Sequence, residues 1–136
     1  MWWNMHWQPD ELSMGISEHL PNTLDLKEAS LYAVGAEVWN IDQYEHDGRR
    51  YLVFDYDSHG EYSSPETIVA IETSTPVTAT TNLSLAGDFL SERLGDWLLI
   101  RQPRIQVTSN RRQQFVEDCA NIIEYAREGN FPDSLV

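Results

Sequence analysis

Residues 29–48 read ASLYAVGAEVWNIDQYEHDG, and whether they coil or extend decides what kind of domain this chain forms. As a helix, Leu31, Val34, Val38 and Ile41 fall at i, i+3, i+7 and i+10 on one apolar stripe, with Glu37, Asn40 and Gln43 elsewhere. As a strand, the even positions Val38, Asn40, Asp42 and Tyr44 mix apolar with polar, which is poor alternation. The spacing therefore predicts a helix, stopped by Asp47-Gly48.

Working outward, RRYLVFDYD (49–57) and TIVAIET (67–73) have the β-branched and aromatic composition of strands. WLLIRQ (97–102) and RIQV (104–107) read as two more, separated by Pro103, and the Thr-rich run near Val77 suits a short edge strand beside Pro76. A short helix is expected from Pro9 to Leu20, on Leu12, Ile16 and Leu20, with Pro21 ending it. LSLAGDFLSERLG (83–95) reads as a helix capped by Asn82 or Ser84, with Leu85, Phe89, Leu90 and Leu94 buried and Gly95 past its end. The clearest helix is RRQQFVEDCANIIEYAREG (111–129): Phe115, Cys119, Ile122, Ile123 and Ala126 form one stripe, with Thr108 or Ser109 as cap. Helices and strands in mixed order, without regular βαβ alternation, point to one α+β domain over residues 1–136. Its mixed or antiparallel sheet is packed by helices, the long C-terminal one included.

At 136 residues the chain can bury a core without staples. The single cysteine, Cys119, excludes an internal disulfide framework and fits a reducing compartment, so a cytoplasmic setting is expected. The Trp-rich start, with Trp2, Trp3 and Trp7, has neither the basic flank nor the apolar run of a signal peptide, and packing it onto the domain as an arm is the plainer use. No apolar run approaches a membrane span.

Charge is the strongest global signal. Residues 1–92 hold 16 acids against Lys27, Arg49 and Arg50, whereas residues 93–136 hold six acids and six arginines. A one-sided field of this kind repels nucleic acid and anionic lipid and steers a basic partner. Acidity that serves only solubility is the plainer account of the same count.

The most chemically loaded stretch is FDYDSHGEYSSPE (54–66). On the calcium-loop pattern it places Asp55, Asp57, His59, Gly60 and Glu66 at positions one, three, five, six and twelve. A strand-like RRYLVF leads in where that motif needs a helix, and histidine is a poor calcium ligand. In an extended segment Asp55, Asp57 and His59 share one face, as a transition-metal or acid–base site would use them, and a solvated acidic loop is the bland alternative. There is no G-x-S-x-G and no Gly-rich phosphate loop, and Cys119 lies on an apolar stripe. Arg111 and Arg112 sit in the first turn of the last helix, where a cation is mildly unfavourable. They therefore pair with the acidic face or contact a partner.

From Leu31 to Leu94 the order LYAVGAEVWNIDQYE, YLVFDYDSHGE, IVAIETSTPVTA, LAGDFLSERL resembles the core of the SUKH superfamily. The matching positions are Asn40, Tyr44, Tyr51, Phe54, Asp55, Asp57, Gly60, Ile68, Ile71, Pro76, Val77, Phe89, Leu90 and Leu94. The family's N-terminal aromatic-Pro-Gly signature is reduced at most to His19-Leu20-Pro21, and the chain extends past the resemblance. The resemblance implies a non-enzymatic immunity protein that neutralises a basic toxin, often a nuclease, without cofactor or catalytic residues. On that reading Asp55, Asp57, His59, Glu61, Tyr62 and Glu66 form the partner-binding surface. The alternatives are a metal-binding protein centred on Asp55, Asp57 and His59, or an acidic mimic of DNA.

Overall fold

The computed structural model describes residues 3–7, 10–11, 20–21, 23–24, 26, 35–46, 48–72, 83–84 and 89–127. Among these, eight strands form one antiparallel sheet and one α-helix crosses it, so the α+β class holds. The strands are β1 (Trp3–Trp7), β2 (Asp10–Glu11), β3 (Glu37–His46), β4 (Arg49–Asp57), β5 (Glu66–Glu72), β6 (Leu83–Ser84), β7 (Leu90–Leu94) and β8 (Trp97–Arg101). Their order is β1-β3-β4-β5-β8-β7-β6, with β2 pairing β3 as well. Helix α1 spans Arg112–Arg127 after a 3-10 turn at Ser109–Arg111.

Glu37–His46 is a strand, not part of the helix that its spacing predicts. The reason is a β-bulge. Trp39 pairs with Asp55 but Asp42 pairs with Val53, so Asn40 and Ile41 together oppose one residue of β4. The extra residue reverses the alternation. Before it Ala36 and Val38 face one side of the sheet; after it Ile41 faces that side and Tyr44 the other. Val38 and Ile41 therefore lie three apart on one face, the spacing a helix also produces. Asn40 takes φ 53 at the bulge, a region asparagine tolerates better than most residues.

LSLAGDFLSERLG is likewise not a helix where described: Leu83–Ser84 and Leu90–Leu94 are strands. Leu94 pairs with Trp97 across the two-residue turn Gly95-Asp96, and Gly95 supplies the positive φ (61) such a turn needs at its first position. Gly95 thus marks a hairpin, not a helix end. RIQV is irregular; only Trp97–Arg101 of that pair is a strand. Asp10 and Glu11 are extended beside β3, against the expected helix start, and the rest of that helix lies outside the described residues, as does the Thr-rich edge strand near Val77. The Trp-rich arm adds edge strand β1 to β3.

Strands β4, β5 and β8 read as continuous apolar runs because both their faces are covered. On one face Tyr51, Val53, Val69, Ile71, Leu98 and Ile100 meet Phe115, Val116, Cys119 and Ala120 of α1. Phe89 stacks on Phe115 at 5.8 Å. Leu52, Phe54, Tyr56, Ile68, Ala70, Trp97 and Leu99 fill the other face beneath Leu20, Leu24 and Leu26. The Trp97 indole N–H donates to Thr23 Oγ1 at 3.0 Å, and the Arg50 guanidinium lies 5.1 Å from the ring centre. Cys119 is core, as its stripe predicts, and burial pushes its thiol well above the ordinary range.

Candidate functional site: an acidic tip and an adjoining polar cleft

The β4–β5 connection, residues 58–65, projects beyond the sheet as a tip. Asp57, the last residue of β4, organises it. Its Oδ1 accepts the His59 backbone N–H at 2.8 Å and lies 2.9 Å from Ser63 Oγ, which is also 3.0 Å from the Gly60 carbonyl. The His59 amide above all, then the Ser63 hydroxyl and the His59 ring, hold the Asp57 carboxyl below its ordinary range against the cost of desolvation. Since the folded value is depressed, the ionised lock is kept above the ordinary aspartate range and is lost only as pH falls through the lowered value.

His59 turns the chain with φ 58, and its Nε2 meets Glu37 Oε1 of β3 at 2.7 Å. Glu61 is exposed, and Tyr62 stands 89% exposed, the larger of two exposed large hydrophobic side chains among the described residues.

The six expected contact residues therefore separate. Asp57, His59, Glu61 and Tyr62 share the tip. Glu66 is engaged at its base, accepting from Arg101 Nη1 at 2.9 and 3.1 Å and from the Arg104 N–H at 2.8 Å. Asp55 is 2% exposed. It accepts from Asn40 Nδ2 at 2.9 Å and Thr67 Oγ1 at 2.8 Å, so it does not reach the outer surface with the others. Asp55 and Asp57 share a strand face as expected, but the turn at His59 takes that residue away. Among the described residues no group of three or more His, Cys, Asp or Glu is arranged to hold a metal ion.

Sequence reasoning missed what Asp55 belongs to. A cleft of about 380 Å³ opens between the β3 bulge, β4 and the loop leading into α1. Asn40, Asp42, Asp55, Gln106, Thr108 and Arg112 are among its polar walls, with Tyr44 and Val107 as apolar ones. Arg112 is 5% exposed; its guanidinium donates to Asp42 Oδ2 and to the Asn40 carbonyl, the latter at 2.6 Å. Thr67 ties Asp55 to the loop, accepting from Val107 N–H at 2.8 Å while its own N–H donates to the Ile105 carbonyl at 3.0 Å.

Of the two uses weighed for Arg112, pairing with the acidic part of the chain is the one seen. The signal was present in the sequence: an arginine in a helical first turn needs an anion nearby. Its partner Asp42 was hidden by the bulge.

Comparison with known proteins yields no match to any family model, curated protein or solved structure. Within the stretch that resembles the SUKH core, Glu37–His46 and Leu90–Leu94 are strands where helices are expected from the spacing. No helix among the described residues is long and apolar enough to cross a membrane.

Proposed function

We propose that the protein is a non-enzymatic acidic binding protein that docks its β4–β5 tip onto a basic protein, most specifically as an immunity-type inhibitor of a basic, nuclease-like toxin. One observation carries the reading: the 89%-exposed Tyr62 projects from a loop held by its own hydrogen bonds, beside Glu61 and Asp57. A large aromatic at a rigid site loses little entropy on contact, and tyrosine is among the residues enriched at binding hot spots. The surrounding carboxylates suit Arg and Lys of a partner. No Lys or Arg occurs from Tyr51 to Glu92, and the nearby Arg101 is engaged by Glu66 at the base of the tip.

The test is co-expression with the product of the adjacent gene, scored by rescue from toxicity and by Kd at low and high salt. Rescue with binding that weakens in salt is expected. Tyr62→Ala and Glu61→Lys should each weaken binding by about tenfold or more, a loss of roughly 1–2 kcal/mol. Both residues are exposed, so the melting temperature should stay put. Binding unchanged in both variants would remove the tip as the contact.

A further inference from the structure

We infer that the cleft beside the tip is a receptor for one arginine side chain of the basic partner, an inference that rests on the reading above. One of the two carboxylates in the cleft is met by neutral donors alone. Asp42 is answered by Arg112, but Asp55 is buried against neutral donors only, the Asn40 amide and the Thr67 hydroxyl. Among the described residues no cationic side chain pairs with Asp55. Buried carboxylates are ordinarily paired with a cation, and this one lines an open cavity. Each carboxylate oxygen can accept more than one donor, so the hydrogen bonds already made leave room for another.

Size and chemistry select the occupant. About 380 Å³ lies near the small end of ligand pockets, which run from about 300 to 1,000 Å³, and suits a single long side chain. The remaining polar walls, Gln106, Thr108 and Ser109, offer neutral acceptors spread around the rim. A planar guanidinium with five fixed donors matches such a spread, whereas an ammonium is a compact and strongly hydrated point charge. The start of α1 and Arg112 favour an anion instead. Asp55, buried with neutral donors alone, decides for a cation. Asp55 and Asp57 are two residues apart on one face of β4, about 7 Å along the strand. A basic segment lying across the tip therefore brings its next side chain to the cleft.

The experiment titrates the full chain with methylguanidinium, following the side-chain amides of Asn40 and Gln106 and the backbone amides of Thr108 and Ser109 by NMR. Methylammonium and sulfate are run at matched ionic strength. Saturable shifts with methylguanidinium, weaker with methylammonium and absent with sulfate, are expected. Asp55→Asn should abolish saturation. Because Asp55 also holds Asn40 and Thr67, a second variant, Gln106→Trp, blocks the exposed wall without touching the buried network, and it too should lose the response. Equal shifts from both cations, saturation by sulfate, or a response surviving Gln106→Trp would overturn the inference. Tip variants that fail to weaken partner binding would overturn the proposed function while leaving the methylguanidinium response in place. A partner that binds in a salt-dependent way to a chain with no methylguanidinium response would overturn the cleft alone.

Discussion

The same strands build both faces of the sheet, yet the faces end differently. On β4, Leu52, Phe54 and Tyr56 point into a mainly apolar face, on which the Arg50–Glu72 pair and Thr23 meet Trp97 and Glu92 lies opposite Leu99. Tyr51, Val53 and Asp55 point to the other, which is apolar under α1 and then turns polar where Asp55, Asn40, Asp42 and Arg112 meet. A continuous apolar face is held by area and packing, which tolerate no cavity. A polar end is held by matched partners, so its cost appears when one partner is removed and the other stays buried. The proposed arginine receptor lies on the second kind of surface, where a carboxylate held by neutral donors has room for a further one.

The largest effect is expected at Phe54, which is 0% exposed. Phe54→Ala should cost about 3–5 kcal/mol in urea unfolding, from lost transfer energy plus the cavity. A cost below about 1 kcal/mol would mean that the second face is not closed. On the polar side, Arg112→Met should cost up to about 3–5 kcal/mol, because the buried Asp42 carboxylate loses the guanidinium that faces it. The signature that separates the faces is rescue. Asp42→Asn combined with Arg112→Met should recover much of the loss, while no second substitution near Phe54 would do so as simply. Additive costs in that double variant would show that the two residues do not act as a pair.

The smallest effect concerns pH. Burial above all, then the Glu66 charge, pushes the Tyr56 hydroxyl up to about 12. A raised folded value means that the unfolded chain releases this proton first. Stability from Tyr56 is therefore whole below pH about 10 and declines as pH rises from about 10 towards 12. Tyr56→Phe should flatten that alkaline limb in a pH series of melting temperatures. An unchanged limb would assign it to other groups.

Much of this was legible in local order. The runs YLVFDY and TIVAI are too short and too β-branched for helices, so β4 and β5 follow from composition, and the 3.6-residue stripe with Cys119 inside it marks α1. The acidic tip was legible too, since Asp, Ser, His, Gly and Pro between two strands leave little but a turn. What failed was periodicity at two places where the chain departs from it. In β3 the bulge at Asn40 inserts one residue and gives helical spacing to a strand. At Gly95 a glycine that closes a helix in one context opens a hairpin in another.

Charge, the central strands, the last helix and the position of the turn at 58–65 are written in local order, because each depends on neighbours within a few residues. Long-range packing sets the rest: Asp55 turns inward while Tyr62 stands out, and Asp42 and Arg112, 70 positions apart, form one buried pair. Those facts depend on strand register and on where a helix lands across the sheet. A one-residue shift in register exchanges the two faces, and no local pattern records it.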